Sequence, residues 1–325
     1  MVCLILSLSK DEAATRMARI IFLNPFSRTE ITGGIKTAHR HAELLCEMGF
    51  DAYVYQPEGA PSWFESKAKL LTGASVASES NDILVFPEVL TGALAELAGA
   101  RIPAKKVLFC QAQFYTLFNA VKPSRYRDLG FARVVCQSEI AKSFLERVLG
   151  LPDVAVVPCF IDPALFHPRV KSRQIALIPK KLPREAAVIQ SLTALKYPHL
   201  TLNWRIIDNA SERETAEIFG ASEIVLSLPF LESFGLVPLE AMASGAIVIG
   251  FDGYGGQEYA TPENGFWFRP DRLEDVADTI ARVAEGLARG DPALAKMREA
   301  GTATAQRYNK ERTRARLRQL YGGLI

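Results

Sequence analysis

From Ala18 onward, short apolar runs alternate with stretches of helical period. The runs ARIIFLN (18–24), DAYVYQ (51–56), DILVFP (82–87), KKVLFCQ (105–111), ARVVCQS (132–138) and VAVVPCF (154–160) are nearly continuous in Val, Ile, Leu, Phe and Tyr. Strands buried on both faces read this way, whereas strands with one wet face alternate. Helical patterns fall between them at 33–48, 92–99 and 138–149. Strand–helix–strand succession predicts a parallel sheet with helices on both sides. The pattern then restarts, with strands at 174–179, 202–207, 223–228, 246–251 and 265–270 and helices near 184–196, 211–220, 236–244 and 272–288. Between the two series, 160–174 has two prolines, charge and no period, which reads as a linker. The expectation is an α/β protein of two Rossmann-like αβα domains, 17–165 and 170–305, followed by a C-terminal helix within 306–325. Residues 1–16 read as a disordered N-terminal extension, with Met17 as the natural start. Open parallel sheets bind ligands at the carboxyl ends of their strands, so the loops there are where chemistry is sought.

Composition narrows the classes. The 325 residues exceed what one hydrophobic core usually serves. A net charge of +2, from 38 basic and 36 acidic residues, argues against bulk nucleic-acid binding. The five cysteines form no C-x-x-C pair and have no histidine at ligand spacing, which predicts a reducing, cytoplasmic setting and no metal site. No run reaches the roughly 18–20 apolar residues that span a bilayer. Lys122-Pro-Ser-Arg-Tyr-Arg127 is a basic-aromatic patch with two readings: an exposed loop, or peripheral contact with acidic lipid heads at the cytoplasmic membrane face. The helix candidate at 309–321 carries five basic residues and reads as solvated outside, with Leu317 and Leu320 docking it.

Two loops stand out. After the first strand, NPFSRTEIT leads to Gly33-Gly34 and a helix. The dinucleotide fingerprint G-x-G-x-x-G is absent, which disfavours a nicotinamide dehydrogenase. The glycines fit either a plain turn or close approach of backbone N–H groups to an anion. The second loop is LESFGLVPLEAM, 231–242, with seven residues between Glu232 and Glu240. Pro238 has no N–H and fits only a first helical turn, so the helix starts near Phe234 or Gly235. Glu232 is then a loop acid and Glu240 a helix acid, with bare amides between them at a helix N-terminus. Read alone, Glu232 could be an acid that favours the helix dipole and Glu240 a solvated helix residue; alternatively the loop is a phosphate site with a carboxylate at each end. The strand and glycine loop that follow, AIVIGFDGYGGQE, add another close backbone approach.

Together, ESFGLVPLEAMASGAIVIGFDGYGGQE resembles the E-x7-E signature of retaining GT-B glycosyltransferases, most like family 4 (group 1). Gly33-Gly34 and VVPCFIDPALFHP resemble the family's glycine loop and interdomain segment, with Cys159 and Phe160 in place of the usual Asn-Gly. The resemblance implies a GT-B fold with a donor/acceptor cleft. It implies metal-independent, retaining transfer of a hexose-like sugar from a nucleotide-diphosphate sugar, with no cofactor, to a glycan or lipid-linked acceptor in polysaccharide or glycoconjugate biosynthesis. Glu232 would hold the transferred sugar and Glu240 the ribose. Ser233, Phe234, Gly235 and Leu236 would contact the sugar or diphosphate, and Gly33 and Gly34 would line the phosphate and acceptor side. Lys180 and Arg184, the nearest equivalents of a family Arg/Lys pair, would stabilise the departing diphosphate; an exposed basic loop is the other reading. Where relatives carry a histidine, this chain has Gln111 and Gln113; an amide can hydrogen-bond a sugar but cannot act as a base. That substitution, with a second domain that lacks an obvious G-x-G turn, keeps another reading open: an inactive GT-B protein that binds a nucleotide sugar or glycan as a partner subunit.

Overall fold

The computed structural model describes residues 17–325; the expected N-terminal extension lies outside the described residues. The chain divides into two units. One holds the described residues up to Pro158 together with Glu311–Ile325, and the other holds Cys159–Lys310.

The first unit is a seven-stranded, wholly parallel sheet. Its strands are β1 (Arg19–Leu23), β2 (Asp51–Tyr55), β3 (Lys69–Leu71), β4 (Ile83–Pro87), β5 (Lys105–Cys110), β6 (Arg133–Cys136) and β7 (Val154–Val156), in the order β3-β2-β1-β4-β5-β6-β7. Ile20 to Leu23 are all buried, which is why β1 lacks a polar alternation. Each such side chain removed from water contributes about 1.5–3 kcal/mol. Helix α1 (Gly33–Glu47) is capped by Thr32, whose hydroxyl accepts the Ile35 N–H, and it buries Ile35, Ala38, Ala42 and Leu45. Helices α2 (Gly92–Gly99) and α3 (Glu139–Arg147) follow β4 and β6. The sheet grows one way from β1 to β3 and the other way from β4 to β7. The switch point therefore lies between β1 and β4.

The second unit has five parallel strands: β8 (Ser172–Leu177), β9 (Asn203–Ile206), β10 (Ser222–Ser227), β11 (Ile247–Phe251) and β12 (Phe266–Phe268), ordered β12-β11-β10-β8-β9. Helices α4 (Pro183–Lys196), α5 (Glu212–Ala221), α6 (Leu236–Ala243), α7 (Leu273–Ala288) and α8 (Pro292–Gln306) connect and cover it. Here the switch point lies between β8 and β10. The stretch read as a linker is partly core, since Ile161 and Phe166 are buried in this unit.

Among the described strands and α-helices, two have no counterpart in the sequence pattern. β3 is a three-residue edge strand, too short to show a period. α8 is rich in Ala, Gly and Thr and lacks a strong apolar stripe, although its start is marked by Asp291, whose carboxylate accepts the Ala293 N–H, and by Pro292. The basic terminal helix α9 (Lys310–Gly322) is docked on the first unit by Leu317, Leu320 and Tyr321. Thr313 Oγ1 donates to Pro158 O at 2.9 Å, Arg314 pairs with Glu47, and the Tyr321 ring lies 6.3 Å from that of Phe22.

Candidate active site

In the second unit, the loops after β8 and β10 leave the sheet on either side of the switch point. The β10 loop runs through Leu228–Gly235 and is tied to the glycine loop after β11. Glu232 N donates to Gly253 O at 2.9 Å and Gly255 N donates to Glu232 O at 2.9 Å, which makes a small parallel bridge. This close approach requires glycine: a Cβ on Gly255 would lie 2.3 Å from Ser233 C and 2.4 Å from Phe234 N. Gly235, at φ +82°, caps α6 from the left-handed region, and its carbonyl accepts the Tyr259 hydroxyl at 2.6 Å. Helix α6 therefore begins at Leu236 with Pro238 in its first turn and with no side-chain cap or first-turn acid. No side chain caps its leading N–H groups, where the positive end of the helix dipole lies.

The predicted residues divide by exposure. Glu240 is buried, which excludes a solvated helix acid, and Ser233 is also buried. Phe234 is buried between Tyr259 and Tyr308, with ring centroids at 5.9 and 5.2 Å, so its side chain anchors the loop and only its backbone is left to meet a ligand. Burial first, then Tyr308 and the carboxylates of Glu232, Asp252 and Glu240, push the Tyr259 phenol well up, so it stays a neutral donor to Gly235. Glu232 is half-buried and meets a cation from the β8 loop. That cation is Lys181, Nζ to Oε1 2.9 Å. Lys180, in the same loop, and Arg184, in the first turn of α4, are exposed. The structure thus brings the second lysine of IPKK to Glu232. Periodicity cannot choose between adjacent lysines of an irregular loop.

In the first unit, Gly33 and Gly34 open α1 at the carboxyl end of β1, and Gln111 follows β5. Gln111 Nε2 donates to Gly34 O at 3.1 Å, and Gln111 Oε1 accepts Gln137 Nε2 at 2.8 Å. Gln113 is fully buried. The residue sequence reasoning missed is Glu88, directly after β4. It is buried, its Oε2 accepts the Gln111 N–H at 3.0 Å, and burial pushes its carboxyl up to about 7 against the pull of the Gln111, Glu88 and Ala112 N–H groups. An acid placed right after a doubly buried strand, VFPE, is the signal that could have found it. His39 and His41 are structural. His39 bonds Gln56 and Ser66 at 2.8 Å each. His41 stacks on Phe109 at 4.9 Å, and burial lowers it to about 3. Among the described residues, no group of three His, Cys, Asp or Glu could hold a metal ion, and no helix is long and apolar enough to cross a membrane.

Two wholly parallel α/β units, each with a switch point in its sheet, fit the GT-B fold of glycosyltransferases. Residues 195–304 match the family described as "Glycosyl transferases group 1". The chain is 27% identical over 238 residues to an alpha-1,6-glucosyltransferase of Actinobacillus pleuropneumoniae serotype 7 (strain AP76), covering 70% of this chain and 72% of that protein. Among solved structures it is similar to sucrose-phosphate synthase from Thermosynechococcus elongatus, with a TM-score of 0.73, 16% identity and coverage of 94% of this chain and 99% of that one. It is also similar to Anabaena HepE in complex with UDP-glucose, with a TM-score of 0.67, 13% identity and coverage of 94% and 99%. The protein has the GT-B fold and carries a group 1 glycosyltransferase domain, and sugar transfer is its class of activity.

Proposed function

We propose that the protein is a retaining, metal-independent glycosyltransferase of the family 4 type, acting in polysaccharide or glycoconjugate biosynthesis in the cytoplasm. UDP-glucose is the first donor to consider, because one similar protein is named a glucosyltransferase and another was solved with UDP-glucose. The observation that carries the reading is the Lys181–Glu232 pair beside the uncapped start of α6, at the switch point of the second unit. Glu232 receives sugar hydroxyls and the buried Glu240 receives the ribose hydroxyls. The amides at Phe234, Gly235 and Leu236 serve the sugar or diphosphate. Lys181 joins Lys180 and Arg184 in offsetting the charge that grows on the diphosphate as the anomeric C–O bond breaks. The acceptor oxygen bonds the anomeric carbon on the same face, and its proton leaves with the diphosphate, so no protein base is required. Gly33, Gly34 and Gln111 serve the phosphate and acceptor side.

For the acceptor, we propose a glycan, in particular a lipid-linked one met at the membrane surface. The support is the segment after Gln113, where Phe118 is 80% exposed and Tyr115 and Leu117 are also exposed, with Lys122 and Arg125 close by in sequence. Aromatic rings beside cations suit an anionic interface. The donor reading is tested by thermal shift against nucleoside diphosphates and their sugars. Stabilisation by UDP-glucose, growing with concentration, is the expected result; no shift with any nucleotide would overturn it.

A further inference from the structure

Glu88 is placed to organise a whole edge of the first unit. Its carboxylate accepts the N–H of Gln111, and its carbonyl accepts the Asn119 side-chain amide, the Leu90 N–H at 3.0 Å and the Tyr126 hydroxyl at 3.4 Å. Gln111, held at its backbone by Glu88, reaches in turn to Gly34 O at the start of α1 and to Gln137 after β6. Glu88 and Gln111 together thus link the carboxyl ends of β4, β5 and β6 with the glycine turn. These contacts lie beside the switch point, where the space above an open parallel sheet receives ligands. We propose that Glu88 is a positioning residue for the reaction: it fixes the turn after β5 and thereby sets the Gln111 amide against Gly34. The proposal rests on the reading of Gly33, Gly34 and Gln111 as a substrate-facing edge.

The chemistry of the group adds a way to see it work. The titratable groups that act with Glu88 are the Cys110 thiol on β5 and the Tyr126 phenol; burial raises both, so both stay neutral near pH 7. The remaining partners are N–H groups and amides. A buried acid with a raised value prefers its proton while the turn is closed, whereas an opened turn exposes an ordinary carboxylate. Rising pH therefore favours opening between about 4.5 and about 7 and has no further effect above that.

The experiment compares the full chain with Glu88→Gln and Glu88→Asp by hydrogen exchange between pH 5 and 8, corrected for intrinsic rates, at 34–37 and 111–113. In the wild type, protection falls by up to about tenfold per pH unit up to pH 7 and then levels. The Glu88→Gln profile is flat, and Glu88→Asp, which still titrates, regains a slope. Hydrolysis of UDP-glucose is read alongside. The Glu88→Gln to wild-type KM ratio changes at least about threefold between pH 5.5 and 7.5, while the kcat ratio stays within about twofold, as lost positioning rather than lost chemistry requires. Matching pH profiles for Glu88→Gln and the wild type, in both protection and KM, would overturn the proposal. A flat Glu88→Gln profile with no turnover or binding of UDP-glucose by any form would uphold the hold of Glu88 on the turn and overturn the donor reading instead.

Discussion

The two units carry buried or half-buried acids at equivalent places, and they treat them differently. In the second unit, Glu232 is half-buried, within reach of solvent, and faces Lys181. In the first, Glu88 is enclosed, its partners are N–H groups, and burial holds it near its proton. A half-exposed carboxylate whose lysine partner is itself partly exposed can exchange that cation for ligand hydroxyls at little cost. An enclosed one can only hold protein. On the proposed reading the same residue type faces ligand in one sheet and holds protein in the other, and the surroundings decide which.

The sharpest way to break this contrast is to deform the loop that presents Glu232. Gly255→Ala forces a methyl into the Ser233–Phe234 backbone. Overpacking there is expected to destabilise the fold by about 3 kcal/mol and to abolish UDP-glucose binding; chemical denaturation and titration check both. The next effect is the acid–base one. The folded value of Glu88, about 7, lies above that of an exposed carboxylate, so the folded state binds this proton more tightly. Its contribution is complete below pH 4.5 and is lost as pH rises to about 7, a swing of about 3 kcal/mol. Denaturation at pH 5 and 7.5 should show this slope in the wild type, superposed on other groups, and show it reduced in Glu88→Gln. The smallest effect is on the ion pair. With both partners partly exposed, Lys181→Ala should cost the fold less than about 1 kcal/mol, while raising the KM for UDP-glucose about tenfold, because the lysine's partner in the complex is charge on the ligand.

What the sequence disclosed follows the same line. The block 232–258 carries its geometry in residue types. Gly235 supplies a left-handed cap, Pro238 dates the helix start, and Gly255 permits a backbone approach that no Cβ allows. The central strands were legible because burial on both faces removes polar positions. β3 was not, since three residues cannot show a period, and α8 was not, because Ala, Gly and Thr pack closely without an apolar stripe. The part played by Glu88 depends on three loops meeting at one sheet edge, which no local pattern records. The choice of Lys181 over Lys180 depends on the path between Leu177 and Pro183.

The central claim is that Glu232 meets the donor sugar. Its most direct test is the turnover of UDP-glucose by Glu232→Gln, which keeps shape and one acceptor oxygen, makes the other position a donor and removes charge. The account predicts a fall in kcat/KM of about 100-fold with an unfolding midpoint close to that of the wild type. A kcat/KM within twofold of the wild type would contradict it.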